Sequence, residues 1–483
     1  MPTDDSTLEK GAADDLISSN DPTQYASLAT SRFRSFPRSL VPTFSLGASQ
    51  NDPNRKLGRT AYLDGLRGFA AFLVYWSHHQ SWGHDKGHIY ESGYGYNGQH
   101  YLVQLPGLRM FFSGGHFAVA VFFVISGYVL SAKPLTLIAS KEYVKLEEYL
   151  ASAVFRRWTR LYLPIIVTSL LFATWWHVFG TRVFKPVPTY VGEFQTWLQA
   201  FIHLSWDWRL STHMWFRYNF HMWTIPVEYR GSLYVYTSLI AFSRASKNMR
   251  LLCTIFSIIY TLLIIDGWYL SLFVAGMLLC DLDQLAAQDR LPAIFDRVRP
   301  YQTRLLWAMF VISVFLSGVP AEEKTLADNP GWYYLSYLVP DGLKSTNPDS
   351  KWFFHFWAAT FMVVCCRRFS WLKTFFEAPF NQYLGRVSYA LYLVHGPVLW
   401  ILADPVYALL GWSIPTTREN PPQWGSLVPA VNLGPLGLEF NFLLGHLVIL
   451  PMTLWVAELC TRGVDEPSVR ASHWLYKRFI GTP

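Results

Sequence analysis

Residues 62–79 read YLDGLRGFAAFLVYWSHH, a segment that opens polar, turns apolar and closes on two histidines. Arg67 and His78 are eleven residues apart, which in an α-helix corresponds to three turns plus about 20°. The two side chains therefore share a helix face and lie roughly 16 Å apart along the axis. Ionisable side chains within an apolar helix are costly in lipid and are typical of functional sites. The segment predicts a membrane helix that carries a reactive histidine.

The composition of the 483-residue chain is typical of a membrane protein. The chain is 51% hydrophobic and 15% charged, whereas soluble domains carry about 25% charged residues. Its apolar residues occur in long blocks, without strand or helix periodicity. The composition therefore predicts an all-α integral membrane domain and excludes a soluble catalytic domain of useful size. The net charge of +7 is read as a topology signal, and we expect no nucleic-acid partner.

The apolar blocks define the expected domain organisation. Ten of them are long enough to span a bilayer once tilt and ragged ends are allowed. They lie at residues 62–82, 114–132, 161–179, 219–242, 250–265, 267–281, 304–319, 353–366, 386–411 and 439–460. Residues 1–58 are rich in Ser, Asp, Thr, Pro and Arg and predict a disordered cytosolic tail. Residues 59–462 would form the transmembrane domain and residues 463–483 a cytosolic C-terminal tail.

The distribution of basic residues predicts the orientation in the membrane. With the N-terminus in the cytosol, 29 of the 40 Lys and Arg residues fall in cytosolic segments and ten in outer ones, with Arg230 inside a span. Cytosolic loops are enriched in Lys and Arg, so we expect about ten transmembrane helices in one bundle with both termini cytosolic. No apolar core follows a basic start at the N-terminus. We therefore expect the first span to act as the targeting signal, and the endoplasmic reticulum or another endomembrane as the location.

His78 is the candidate catalytic base, with Arg67 beside it on the same helix face. A neutral histidine is the usual general base for a hydroxyl group near pH 7. His79 points about 100° away and is the weaker candidate. Taken singly, Arg67 could be a topology signal and His78 a satisfied polar residue. Their shared face favours a joint catalytic role.

Three arginines precede the third span and form a candidate donor site. Arg156 and Arg160 are four residues apart and share a helix face, with Arg157 between them. Planar guanidinium groups pair bidentately with phosphate. The cluster would suit a cytosolic donor with several phosphates, such as a coenzyme A thioester. The alternative is a topology signal or attraction to anionic lipid.

Four more polar side chains lie in apolar blocks and are candidates for the active cavity. Ser126 could line the cavity, although a Ser-Gly pair in an apolar helix also serves close packing. Glu228 needs a partner from another helix, and would either orient a base and bind acceptor hydroxyls or form a structural salt bridge. Tyr392 and His395 are three residues apart and could face the acceptor from one helix stripe.

Five segments in order resemble the acyltransferase-3 family of integral-membrane acyltransferases, in its fungal branch. They are LDGLRG at 63–68 with His78 behind it, FFVISGY at 122–128, RRWTRLYLP at 156–164, WTIPVEY at 223–229 and LGRVSYALYLVH at 384–395. The similarity covers roughly residues 60–460. Many bacterial members read Ser-x-Glu-Glu-Gln around the carboxylate, whereas residues 226–230 here read PVEYR. That departure weakens any inference of a bacterial cell-wall acceptor.

The resemblance implies a ten-helix O-acyltransferase, with acetyl as the expected group. The donor would be a cytosolic acyl-CoA used as co-substrate, with no permanently bound cofactor. Independently of the resemblance, none of the five cysteines shows metal-ligand spacing, so we expect no metal site. The acceptor would be a hydroxyl of a small molecule: a fungal terpenoid or polyketide secondary metabolite, a sterol, or a sugar or glycolipid. In the family the histidine matching His78 is essential, and the arginine matching Arg67 supports it or the donor. His78 would act here as a base or as a transient acyl carrier.

Two other classes of function compete with this interpretation. A non-catalytic transporter or channel could also line its path with buried charges, although the inverted repeats of many transporters are not visible in the sequence. A different membrane acyltransferase architecture would require an Asn/His pair elsewhere and would tolerate changes at Arg67. Release of coenzyme A that depends on an acceptor would separate the enzyme from the transporter.

Overall fold

The computed structural model describes residues 57–180, 185–205, 216–320, 326–341, 343, 350–412 and 422–481. These residues form helices and connecting loops, with no β-strand among them. This agrees with the predicted all-α class. The predicted N-terminal tail, residues 1–58, lies outside the described residues except for its last two positions.

Fourteen helices of six or more residues are numbered in the described segments. They are α1 Ala61–Gly83, α2 Gly115–Ala139, α3 Tyr143–Phe179, α4 Tyr190–Ser205, α5 Thr224–Ala241, α6 Lys247–Ile259, α7 Trp268–Ala287, α8 Gln302–Leu316, α9 Lys351–Arg368, α10 Ser370–Glu377, α11 Pro379–Val398, α12 Asp404–Leu409, α13 Phe440–Cys460 and α14 Glu466–Phe479. Shorter α-helical turns lie at Met110–Ser113, Ile294–Val298 and Tyr333–Ser336. 3₁₀ turns lie at Tyr96–Gly98, Leu102–Gln104, Phe220–Trp223 and Arg299–Tyr301, and π turns at Gly87–Glu91, Tyr260–Ile264, Leu399–Ala403 and Thr461–Asp465.

Each of the ten predicted apolar blocks coincides with a helix. Among the described residues, six helical stretches are long and apolar enough to cross a membrane: Gly115–Ala139, Tyr143–Phe179, Lys247–Ile264, Trp268–Ala287, Pro379–Leu409 and Phe440–Phe479. The other four blocks form α1, α5, α8 and α9. Helix α8 has only 15 residues, and the other three carry charged or polar side chains within their apolar sequence.

Two helices extend beyond the predicted blocks. Helix α3 begins at Tyr143 and runs for 37 residues, so the three arginines of the candidate donor site lie inside a continuous helix. Helix α13 passes through the π turn Thr461–Asp465 into α14, which packs against α3. The predicted C-terminal tail is therefore largely helical. Hydropathy marks only the apolar part of each helix, whereas Leu, Glu, Ala and Arg continue a helix into polar sequence.

Helix α1 lies at the centre of the bundle, in contact with α2, α9, α10 and α11. Its glycines allow the closest crossing: a Cβ atom on Gly68 would lie 2.2 Å from the backbone nitrogen of Gly385 on α11. Helices α2 and α7 cross in the same way, since a Cβ on Gly276 would lie 2.0 Å from the carbonyl oxygen of Val124. Small residues permit such contacts between membrane helices. The packing holds α1, and His78 on it, against α11.

Candidate active site

Three histidines from separate elements meet inside the bundle. His78 comes from α1, His221 from the 3₁₀ turn before α5, and His395 from α11. One nitrogen from each ring lies within 4.8 Å of the other two. The ring centroids of His78 and His221 are 3.9 Å apart, and those of His221 and His395 are 4.6 Å apart. His221 and His395 are buried and His78 is half-buried. We call these three residues the histidine cluster.

The hydrogen bonds of His395 determine the tautomer of His78. His395 Nδ1 lies 3.2 Å from the carbonyl oxygen of Leu391. A carbonyl only accepts, so Nδ1 carries the proton and Nε2 of His395 carries the lone pair. That Nε2 lies 3.1 Å from Nδ1 of His78, so Nδ1 of His78 is the donor. Nε2 of a neutral His78 is then the unprotonated nitrogen, as a general base requires.

The tautomer of His221 is fixed by a second chain of hydrogen bonds. Asn219 donates from Nδ2 to the carbonyl oxygen of Leu393 over 2.9 Å, which orients its amide. Its Oδ1 therefore faces Nδ1 of His221, at 3.1 Å. An amide oxygen only accepts, so Nδ1 of His221 is protonated and Nε2 carries the lone pair. The cluster thus holds two imidazole lone pairs, on His78 and His221, that the cluster itself does not use.

His221 was not among the residues singled out from the sequence. The prediction missed it because it precedes α5 in a 3₁₀ turn, where no helical periodicity points to a partner. Its position seven residues before Glu228 is a usable signal, because that spacing is close to two helical turns.

Tyr392 lies one turn from His395, but its hydroxyl is already hydrogen-bonded within the protein. Its hydroxyl donates to the carbonyl oxygen of His221 and lies 2.6 Å from Oγ1 of Thr224. Tyr389, one turn before Tyr392 on α11, donates to the carbonyl oxygen of Leu161 over 2.6 Å. The predicted stripe on α11 therefore faces inward. Within it, Tyr392 holds the turn that carries His221.

Glu228, Ser126 and Arg157 form a second polar group, between α2, α3 and α5. Ser126 donates to Oε1 of Glu228 over 2.7 Å, and Arg157 forms a salt bridge to the same oxygen. Nε of Arg157 also donates to Oγ of Ser232 over 2.9 Å. The side chains of Arg157 and Glu228 are only 11% and 13% exposed. The interhelical salt bridge considered for Glu228 is present, and its partner is an arginine predicted to bind phosphate.

Arg67 and Arg160 lie at one end of the bundle. There the start of α1 approaches α3 and the π turn before α14. Arg67 pairs with Asp64 at 3.1 Å and donates to the carbonyl oxygen of Gly385, also at 3.1 Å. Arg160 is exposed, and both arginines attract the carboxylate of Asp465. We call Arg67 and Arg160 the basic end.

Arg156 turns away from the basic end toward the C-terminal helix. Its Nε donates to Oγ of Ser152 over 3.0 Å, and its Nη1 lies 2.7 Å from Nε2 of His473 on α14. Of the three arginines in the candidate donor site, Arg160 is the one classed as exposed, and Arg156 and Arg157 are partly buried.

His79 belongs to a different network from its neighbour His78. Its Nδ1 lies 2.7 Å from the hydroxyl of Tyr407, which also contacts Nε2 of His446 at 3.0 Å. Nδ1 of His446 in turn lies 2.9 Å from the hydroxyl of Tyr75. Adjacent histidines on α1 thus face separate sets of partners, as the 100° rotation per residue requires.

The loop between α1 and α2 packs over the end of α1 that carries His78. Tyr90 donates its hydroxyl proton to the carbonyl oxygen of Ser77 over 2.9 Å. Arg109 is almost fully buried and donates to the carbonyl oxygens of Tyr90 and Ser92. Burial lowers the pKa of the Arg109 guanidinium to about 10, so it remains a cation at neutral pH. Its hydrogen bonds hold this loop in place over the end of α1, close to the histidine cluster.

The histidine cluster is also a possible metal-ligand set, since three converging imidazole nitrogens are typical of zinc sites. Two of the rings have their Nδ1 protons held by an amide or carbonyl oxygen, as metal-bound histidines often do. The expectation of no metal site rested on spacing along the chain. Spacing does not detect a cluster assembled from three distant segments.

Comparison with known proteins agrees with the expected family. A family model described as "Acyltransferase domain" (Acyl_transf_3) matches residues 60–457. The chain belongs to this acyltransferase family. It is also 29% identical, over 488 aligned positions, to "O-acetyltransferase PaAT-1" of Phomopsis amygdali, an alignment that covers 92% of this chain and 89% of the relative. No solved structure matches the chain.

The family match includes the histidine cluster and most of its surroundings. All three histidines, the Glu228–Arg157 pair and both arginines of the basic end lie within residues 60–457. Asp465, which lies near the basic end, and His473, which contacts Arg156, lie beyond residue 457. The chain is therefore an acyltransferase of a membrane type, with several helices able to cross a bilayer.

Proposed function

We propose that this protein is a membrane O-acetyltransferase that moves an acetyl group from acetyl-CoA to a hydroxyl of a small, largely apolar molecule. The family match and the O-acetyltransferase relative support acyl transfer to oxygen. The observation that carries the assignment is the histidine cluster, in which His395 leaves Nε2 of His78 unprotonated. A buried imidazole with a fixed lone pair suits the activation of a hydroxyl group.

The donor would bind with its phosphates at the basic end. Arg67 and Arg160 lie there, and guanidinium groups pair well with phosphate oxygens. Arg67 and His78 share one face of α1 and lie roughly 16 Å apart along its axis. An extended pantetheine arm can span that length. Tyr389 and Tyr392 lie along α11 between these two residues. Arg157 is held by Glu228 and contributes positive charge near the path.

Two chemical routes use His78. In direct transfer, Nε2 of His78 takes the hydroxyl proton of the acceptor while its oxygen attacks the thioester carbonyl. The carbon–sulfur bond then breaks, and the thiolate takes the proton back from His78. In the second route, Nε2 of His78 attacks the thioester and carries the acetyl group before the acceptor receives it. Both routes leave His78 as it began.

The acceptor would be an alcohol that reaches the site from the bilayer. Many large apolar side chains are exposed on the surface of the bundle. An apolar surface favours an acceptor that dissolves in lipid, such as a terpenoid, polyketide or sterol with a free hydroxyl. A sugar or glycolipid hydroxyl is the alternative within the same reaction. Membrane lipid is the other expected partner.

We also propose ten membrane crossings with both termini in the cytosol of an endomembrane such as the endoplasmic reticulum. The ten apolar blocks coincide with helices, and 29 of the 40 Lys and Arg residues lie on the side assigned to the cytosol. This orientation puts the basic end on the cytosolic side, where acyl-CoA is available. A glycosylation acceptor inserted at residue 95 would be modified if that loop faces the lumen.

The test is acceptor-dependent release of free thiol from acetyl-CoA by purified protein in detergent, against a panel of alcohols. We expect release by the wild type and by His79→Gln, and loss in His78→Ala with unchanged thermal unfolding. His79 is the matched control because it is the neighbouring histidine in a separate network. Equal release by wild type and His78→Ala would refute the assignment of His78. Substrate flux across vesicles without thiol release would support a transporter instead.

A further inference from the structure

The histidine cluster contains one lone pair more than direct transfer needs. Nε2 of His78 is set by His395, and Nε2 of His221 is set independently by Asn219. Among the described residues, Nε2 of His221 forms no hydrogen bond, and it is not one of the side-chain atoms that the protein encloses completely. An accessible lone pair this close to the proposed base, with a ring-centroid distance of 3.9 Å, suits a group that takes a proton in the reaction.

We propose that His221 is a second catalytic residue, the base that takes the acceptor proton while His78 carries the acetyl group. The inference rests on the proposed function and specifies the route. A site with one nucleophile and one base requires two lone pairs with separate orienting partners. The cluster provides both, with His395 orienting His78 and Asn219 orienting His221.

The two steps balance in atoms and charge. In the first, Nε2 of His78 forms a bond to the acetyl carbon, the carbon–sulfur bond breaks, and CoA leaves as thiolate. The acylated ring is cationic and keeps its Nδ1 proton on the hydrogen bond to His395. In the second, Nε2 of His221 takes the acceptor proton, the acceptor oxygen attacks the acetyl carbon, and neutral His78 leaves. The proton on His221 then returns through solvent to the thiolate.

Asn219 is a positioning residue in this scheme. Its Oδ1 accepts from Nδ1 of His221, so it stabilises the imidazolium that forms when Nε2 takes a proton. Removing the amide should slow the second step and leave the first unchanged. Asn219→Asp should restore the second step relative to Asn219→Leu, because a carboxylate oxygen also accepts from Nδ1–H.

The test separates the two steps by isotope exchange. Labelled CoA is incubated with unlabelled acetyl-CoA and protein, without acceptor, and label entering acetyl-CoA reports the first step. We expect exchange by wild type, His221→Ala and Asn219→Leu, and none by His78→Ala. Transfer to the alcohol should fall about 10²–10³-fold in His221→Ala, and His79→Gln should match wild type in both assays.

Three outcomes would overturn the proposal. The first is normal transfer by His221→Ala. The second is loss of both exchange and transfer in His221→Ala with normal folding and acetyl-CoA binding. The third is a wild type that transfers acetyl but shows no exchange. A wild type that exchanges label yet acetylates no alcohol would instead refute the proposed function and leave the His78 step standing.

Metal analysis of the purified protein provides an independent check. About one equivalent of zinc in the wild type, lost in both His78→Ala and His221→Ala, would identify the three nitrogens as metal ligands. Both lone pairs would then be occupied, and the division into nucleophile and base would be wrong. We expect no such stoichiometric metal.

Discussion

Replacing Glu228 with Gln tests the polar group that links α2, α3 and α5. The substitution keeps the size of the side chain and an oxygen that can accept from Ser126, but it removes the negative charge. Arg157 would then be a cation at 11% exposure with no counter-charge on its salt-bridge partner. Breaking a buried ion pair by removing one partner costs about 3–5 kcal/mol, so we expect a loss of unfolding free energy in that range.

A double-mutant cycle isolates the charge pair from other effects. Arg157→Met should also cost about 3–5 kcal/mol, because it leaves the carboxylate unpaired. The combined variant should be far more stable than the sum of the two losses, with a coupling of about 3 kcal/mol. The assay is reversible unfolding in mixed micelles with increasing SDS, followed by tryptophan fluorescence.

The exposed pair of Arg67 and Asp64 is the matched control. Its side chains are 37% and 54% exposed, so Asp64→Asn should cost less than about 1 kcal/mol. If the losses from Glu228→Gln and Arg157→Met add within about 0.5 kcal/mol, the residues are not energetically coupled. The description of this group as a buried salt bridge would then be wrong.

Three further predictions address the histidine cluster, the basic end and the helix crossings. His395→Ala removes the acceptor that keeps the proton of His78 on Nδ1. We therefore expect kcat to fall about 10²–10⁴-fold with the KM for acetyl-CoA unchanged. A rise in KM of the same size would argue against an orienting role for His395. Arg160→Ala should raise the KM for acetyl-CoA about tenfold, or about 1.4 kcal/mol, whereas Arg297→Ala, an exposed arginine in the turn Ile294–Val298, should not. Gly276→Ala places a Cβ 2.0 Å from the oxygen of Val124 and should cost about 1–3 kcal/mol in the same SDS assay. Gly463→Ala, where nothing lies within 4 Å of the new atom, should cost nothing, and equal stabilities would contradict the packing of α2 against α7.

The helices and the alignment of residues on each one could be predicted from the sequence. Apolar blocks predict helices because a membrane span must satisfy its backbone internally. Helical geometry puts Arg67 and His78 on one face and rotates His79 away. The stripe of Tyr389, Tyr392 and His395 on α11 follows from spacings of three. These inferences use only contacts within one helix.

Partners on different helices could not be predicted in the same way. The sequence indicates that Glu228 needs a partner but not that Arg157 is that partner, because spacing on α3 says nothing about which side faces α5. The tautomer of His221 depends on Asn219 and on the carbonyl of Leu393. No periodicity in the sequence predicts either contact. The histidine cluster depends on how α1, the 3₁₀ turn before α5 and α11 pack, which is a property of the tertiary fold.

The most direct test of acyl transfer at the histidine cluster follows the acetyl group itself. Protein in lipid bilayers is given acetyl-CoA labelled with carbon-13 in the acetyl group together with an alcohol identified by the thiol-release panel. Mass spectrometry then measures labelled ester. We expect one labelled acetyl per product molecule from wild type and His79→Gln, and none from folded His78→Ala that still binds acetyl-CoA. Labelled ester formed at the wild-type rate by His78→Ala would contradict the account.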